Sequence, residues 1–476
     1  MSTETAPQPS GESPTELKRV MGPKLLLLFI VGDILGTGVY ALTGQVAAEV
    51  GGAAWLPFLI AFAVAFLTAF SYLELVTKYP QAAGAALYVH KAFGVHFFTF
   101  MVAFTVMCSG ITSASTASRA FASNLAVGLD WEASNTQIML MALGFMVLVA
   151  AINLRGVSES VKANVVLTLV ELSGLLLVIL CGFWAIAGGD ADWGRVVAFE
   201  TPDDKNVFLA VSTATSLAFF AMVGFEDSVN MAEECHEPNK IFPKMMITGL
   251  GITAVIYVLV SICAVAVVPV GELAGNDTPL VTVVEKATPD VPIQDILPFI
   301  SMFAVANSAL INMMMASRLL YGMSRQGIIP RPLSKVGSRR QTPWVAILFT
   351  TAIAFGLIAW VSNANPDSVA VLGGTTSLLL LAVFAVVNVA VLVLRHDTVE
   401  HSHFRTHTVL ALVGSVACIF LVLPFSSGRP GSQYEVAGVL LLLGLVLSVP
   451  IYLARRAHGE DLEISDPDDI PPHKIP

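Results

Sequence analysis

The chain has 476 residues, 55% hydrophobic and 13% charged, with a mean hydropathy of +0.76 and a formal net charge of -10. Soluble domains carry roughly 25% charged residues, so the composition excludes a soluble globular protein and implies an integral membrane protein. No basic stripe recruits nucleic acid, and Cys108, Cys181, Cys235, Cys263 and Cys418 lie in or beside apolar segments without paired spacing, as small buried hydrophobes rather than a disulfide framework.

Residues 1–20 form a polar Ser/Thr/Pro/Glu leader without apolar periodicity and are expected to be disordered, as is the acidic, Pro-rich tail over 456–476. Residues 21–455 between them read as one transmembrane domain. A crossing helix needs about 20 apolar residues, and runs of that kind predict about twelve spans. They fall near 24–48, 54–77, 95–127, 136–154, 163–187, 207–232, 244–270, 296–322, 343–361, 368–394, 408–426 and 434–454. With the N-terminus inside, 20 of the 25 Lys and Arg residues lie on the cytoplasmic side, as the positive-inside rule requires. An even number of spans then places both termini in the cytoplasm.

The first span is interrupted by GDILGTGVYALTG (32–44). Each interior glycine costs a helix about 1 kcal/mol relative to alanine, and unwound backbone at membrane depth is tolerated only where it lines a cavity or is buried in protein. Gly36, Thr37 and Gly38 therefore mark a candidate site. Asp33, about one turn earlier, is either a gate group or a partner for a buried polar atom; Glu74 in the second span is a weaker candidate. In the third span the run SGITSASTAS (109–118) either lines a pathway or packs helices closely, the commoner use of small residues.

Glu171 stands in the fifth span among Leu169, Val170, Leu172 and Leu175. A carboxylate in hydrocarbon is costly, so an intramembrane acid is a functional hypothesis by default, and burial favours its neutral form. Proton coupling and a Na⁺ site are the functional readings; a neutral, hydrogen-bonded structural glutamate is the alternative. The sixth span carries a second interruption, FFAMVGFEDSVNMAEE (219–234). Phe219 and Phe220 beside it serve as an aromatic gate or as plain packing. Glu226 and Asp227 hold a cationic group or cap the next half-helix, while Glu233 and Glu234 read as solvated. Met313 to Met315 in the eighth span read mainly as packing, and His396, His401, His403 and His407 as a solvated loop rather than a metal site.

The two interrupted spans are five apart and so run in opposite directions, as an inverted repeat of five plus five helices requires, with the last two spans as additions. Half-helix N-termini suit a carboxylate and exposed carbonyls suit an ammonium, and an amino acid carries both.

These segments, with YPQAAGAALYVHKAFG (79–94) and SRLLYGMSRQGIIP (317–330), resemble the amino acid-polyamine-organocation superfamily of secondary transporters, and within it the bacterial relatives of the cationic amino acid transporters. The resemblance runs over roughly 20–455. It implies an all-α inverted-repeat fold, alternating access, and an amino acid whose carboxylate meets the backbone near Gly36, Thr37 and Gly38. Its amino group would meet carbonyls around Phe220, Ala221 and Val223. Two positions depart from the family: Gln326 stands where an acid is frequent, and Glu171 where some proton-coupled relatives carry a lysine, so lysine-based coupling does not transfer.

The expected function is a secondary active amino acid permease of the cell membrane, coupled to H⁺ rather than Na⁺, with Glu171 as the coupling group and Glu226 at the substrate. The alternatives are an amino acid or polyamine exchanger and a transport-inactive membrane sensor. Neither a nucleophile elbow, a zinc-protease motif nor a phosphate-binding loop is present, so neither an enzyme nor an ATP-driven pump is expected, and no cofactor.

Overall fold

In a bilayer each backbone N–H and C=O must find its partner within the protein, so apolar runs fold as helices. The computed structural model describes residues 21–80, 84–155, 160–203, 205–293, 295–325, 329–337, 342–365, 367–399 and 401–457. Gln326, and the leader and tail except for residues 456 and 457, lie outside them, as do the side chains of Glu233 and Glu234. The helices in chain order are α1 (Pro23–Ile34), α2 (Thr37–Val50), α3 (Trp55–Lys78), α4 (Gly84–Phe93), α5 (His96–Gly128), α6 (Asn135–Arg155), α7 (Ser160–Gly188), α8 (Trp193–Val196) and α9 (Val207–Ala218). They continue with α10 (Pro238–Val267), α11 (Val270–Leu273), α12 (Pro279–Ala287), α13 (Leu297–Arg325), α14 (Trp344–Ala364), α15 (Ser368–Val393), α16 (Thr408–Val422), α17 (Pro424–Ser427) and α18 (Gly431–Ala457). Extended pairing among the described residues is limited to two isolated bridges, Met21 with Cys235 and Gly51 with Phe199.

Eleven helical stretches among the described residues are long and apolar enough to cross a membrane, which corrects the expected twelve. The shortfall is α16, with 15 residues. At 1.5 Å per residue it reaches about 22 Å, less than the roughly 30 Å hydrocarbon thickness. It stops because Leu423 turns extended (φ -70°, ψ 134°) ahead of Pro424, which opens the short α17 and cannot donate to a continuing helix.

The central helix is α5, which packs most extensively against α13 and α15. Its polar run divides between two uses. Ser115, Thr116 and Ser118 bond back to carbonyls of their own helix, and Thr112 Oγ1 meets Thr376 Oγ1 of α15 at 2.7 Å. Leucines and valines such as Leu180, Val255 and Val416 remain exposed on outward faces, the distribution a lipid surround allows.

The histidine-bearing segment before α16 is docked rather than simply solvated. His401 Nε2 lies 3.1 Å from the Thr77 carbonyl, and Phe404 N–H donates to Thr77 Oγ1 at 3.0 Å. Beneath it, Arg395 grips Glu74 through Nε and an Nη at 3.2 and 3.1 Å, and Thr406 N–H donates to the same carboxylate at 2.8 Å. Glu74, met in the sequence as a weak site candidate, thus belongs to a polar tie between α3 and the end of α15.

Candidate solute site at the two helix breaks

The first break separates α1 from α2 at Leu35 and Gly36. Leu35 (φ -68°, ψ 38°) leaves the helical path, and Gly36 (φ -91°, ψ -147°) becomes the N-cap of α2 without a side-chain cap. The first-turn N–H groups of α2, beginning at Thr37 and Gly38, have no carbonyl within their own helix to bond. They form the positive end of a helix dipole inside the protein. On the other side, the Ile34 carbonyl at the end of α1 accepts Tyr257 O–H of α10 at 2.5 Å.

The second break follows α9. Phe219–Met222 tighten into a 3-10 turn, Val223 is extended (φ -71°, ψ 143°), and Gly224 takes φ +126° before a second 3-10 stretch over Asp227–Glu234. That φ favours glycine. Glu226 Oε2 accepts Gly224 N–H at 2.9 Å, so this carboxylate caps the broken backbone itself.

The two breaks meet. A Cβ on Gly38 would stand 2.4 Å from Ala221 Cα, and one on Gly224 would stand 2.6 Å from the Asp33 carbonyl oxygen. On the α13 side, a Cβ on Gly36 would lie 2.3 Å from Ser308 Oγ. Gly38 and Gly224 leave no room for a side chain because backbone atoms occupy the space, whereas at Gly36 the obstacle is the Ser308 hydroxyl.

Around this junction lie two small cavities of about 20 Å³ each. One is lined by Asp33, Gly36, Thr37, Gly38, Phe220, Val223, Asp227, Ser113, Ser308 and Asn312, among others. The other shares Val223, Asp227 and Asn312 and adds Glu226, Ser109 and Thr376. Each has room for about one water, so an amino acid fits only when the broken segments move apart. Of the expected site residues, Gly36, Thr37, Gly38, Phe220, Val223 and Glu226 line these spaces. Ala221 lies against Gly38 instead, and Phe219 is fully buried and meets Phe384 edge-on, ring centroids 6.0 Å apart. Sequence reasoning passed over Ser308 and Asn312 because a serine and an asparagine in a long apolar helix give no local anomaly. Ser113 was inside the small-residue run but not distinguished from it.

Glu171 lies behind the first break. It is fully buried, and neither carboxyl oxygen has a hydrogen-bond partner among the described residues. Its backbone carbonyl accepts Tyr40 O–H of α2 at 2.9 Å. One turn earlier on α7, Thr168 Oγ1 lies 1.8 Å from where a Cβ on Gly32 would be, so α1 and α7 are pressed together next to Asp33. Asp33 is also buried with Oδ2 unpartnered. Two acids with unmet bonding capacity therefore flank the break that carries the free amides.

Among known proteins, a family model described as amino acid permease matches residues 23–447. The branched-chain amino acid permease BcaP of Bacillus subtilis is 28% identical, covering 95% of this chain and 96% of its own. The methylthioribose transporter of the same organism is 26% identical over 93% and 95%. The chloroplastic cationic amino acid transporter 9 of Arabidopsis thaliana is 30% identical over 69% of this chain and 58% of its own length. A match over nearly the whole membrane-embedded chain, joined to paired helix breaks at its centre, establishes that the chain belongs to the amino acid permease family of the amino acid-polyamine-organocation superfamily, membrane transporters and not enzymes.

Proposed function

We propose that this permease is a secondary active transporter that moves a cationic or neutral amino acid by alternating access, driven by the proton gradient. The observation that carries the reading is the contact of the two breaks at Gly38 with Ala221 and Gly224 with Asp33. An amino acid carboxylate is received by the amides of Thr37 and Gly38, which the helix cannot use. Its ammonium group faces the carbonyls around Phe220 and Val223 and the acids Glu226 and Asp227. Spans one and six then act as counterparts in a five-plus-five inverted repeat, and rocking of the repeats opens the site to either face. The Lys and Arg distribution supports both termini in the cytoplasm of a cell-membrane protein, and this requires α16, continued by α17, to serve as a short twelfth crossing.

Glu171 is the coupling group in this reading. A buried carboxyl without a partner is tolerated when it carries a proton and is costly when charged. Loss of the proton as spans one and six part links proton movement to solute movement. The named relatives carry branched-chain amino acids, methylthioribose and cationic amino acids, so identity near 28% does not select the side chain carried.

The test is uptake of labelled L-leucine and L-arginine into proteoliposomes under inward proton or sodium gradients. The expected result is proton-driven uptake of one of them that Glu171→Gln converts to gradient-independent exchange. Sodium-driven uptake overturns the coupled ion. Absence of competed uptake or exchange under every gradient overturns transport of these substrates in favour of a sensor.

A further inference from the structure

A larger cavity lies away from the breaks. A pocket of about 280 Å³ opens among α2, α9, the start of α15 and the turn before α18, close to the lower end of the roughly 300–1,000 Å³ usual for small-molecule sites. Gln45 on its wall is seven residues beyond Gly38, about 10 Å along α2. Ser216 is four residues before Phe220 on α9. The pocket therefore stands on the outer sections of both broken spans. Leu217, Ala370 and Val371 give it an apolar side; outside its lining, a Cβ on Gly373 would lie 3.0 Å from Leu42 Cδ1 and 3.4 Å from Phe220 Cδ1, so Leu42 and Phe220 converge between α2, the sixth-span break and α15.

The wall holds polar groups that the fold does not use. Gln45 is 8% exposed and its Nε2 has no hydrogen-bond partner among the described residues; Ser216 is 1% exposed and its Oγ is likewise unpartnered. Beside them is Arg429, buried, with its five N–H groups directed to the carbonyls of Leu421, Gly374 and Ser216, to Gln433 Oε1 and to Ser377 Oγ. No carboxylate among the described residues pairs with it, so its positive charge reaches the pocket while its donors are spent. Of the two acids on the wall, Glu49 is bound by Lys205 at 2.7 Å, whereas Asp367 is exposed.

We propose that this vestibule is a second binding site for the zwitterionic end of an amino acid, holding its carboxylate at Gln45 and Ser216 under the field of Arg429 and its ammonium toward Asp367. The assignment rests on the amino acid reading of the permease. It gives the solute a station apart from the breaks before they open.

Equilibrium binding of labelled L-leucine and L-arginine to the full chain in lipid nanodiscs tests it. The expected result is two equivalents of the recognised probe per chain, falling to one in Gln45→Glu, which keeps the shape but replaces the amide donor with a carboxylate. Ser216→Ala, which removes only a hydroxyl, weakens the second equivalent by about two- to tenfold. A single equivalent that both variants leave unchanged overturns the vestibule and keeps the amino acid reading. A second equivalent that neither variant alters overturns this location. Binding of neither probe overturns leucine and arginine as the solute, and the vestibule as a site for them.

Discussion

Gly38 and Ala221 touch backbone to backbone: a methyl group on Gly38 would lie 2.4 Å from Ala221 Cα and 2.6 Å from its Cβ. Backbone atoms give way less easily than the end of a flexible side chain, so Gly38→Ala forces the two breaks apart. The expected outcome is at least a tenfold loss of uptake rate in proteoliposomes, with insertion and monodispersity in detergent retained. Gly251→Ala, where an added Cβ meets nothing within 4 Å, is the control and transports as the unmodified chain does. Equal activity of the two variants refutes a tight junction at the transport site.

Tyr257 fixes the end of α1 by donating to the Ile34 carbonyl. Tyr257→Phe keeps the ring, which packs against Phe58 with centroids 6.1 Å apart, and removes only the donor. The Ile34 carbonyl still accepts Gly36 N–H at 2.7 Å, so the variant loses one buried hydrogen bond, about 0.5–1.5 kcal/mol. It is expected to melt slightly lower and to show a raised KM, because the α1 end and the adjoining amides of Thr37 and Gly38 lose their brace. An unchanged melting temperature and KM would refute the brace.

Glycine placement made both breaks legible before any coordinates. In the first, Gly32, Gly36 and Gly38 weaken a helix their apolar neighbours favour; in the second, Gly224 stands in an otherwise apolar run beside two acids. The intramembrane position of Glu171 was equally plain, since a charge in a leucine-rich span is conspicuous. Other contributions were hidden for physical reasons. Ser308 and Asn312 reach the breaks only through the packing of α13, and the shortness of α16 depends on where Leu423 turns rather than on the hydrophobicity of 408–426. The polar buttress of Glu74 and Arg395 joins residues 321 apart in sequence, a pairing no local pattern carries.

That buttress supports a stability prediction. Glu74 has a side-chain exposure of 3% and Arg395 of 13%, and removing one partner of a buried, hydrogen-bonded pair costs about 3–5 kcal/mol because the other charge is left uncompensated. Glu74→Gln and Arg395→Met should each lower stability markedly in chemical or thermal denaturation. The double variant should lose less than the sum of the two. Strict additivity would show that the two side chains act independently.

Arg429 sets the last prediction. Its guanidinium bonds to Gly374 and Ser377 of α15, to Ser216 of α9 and to Leu421 and Gln433 of the final helices. Burial lowers its pKa to about 9, so it remains cationic at neutral pH. Lysine preserves that charge but has three donors on a single nitrogen in place of a planar fork of five, so Arg429→Lys leaves at least two of these bonds unmade, although the Ser216 and Gly374 carbonyls keep Ser377 O–H. The expected cost is about 1–3 kcal/mol for each buried acceptor left with no other donor, read as a lower melting temperature. Because those acceptors sit on α9 and α15, which bound the vestibule, the same variant should weaken any vestibule binding more than binding at the breaks. If Arg429→Lys melts and binds as the parent does, charge alone suffices there, and the five-bond geometry contributes nothing to holding the last helices against the broken sixth span.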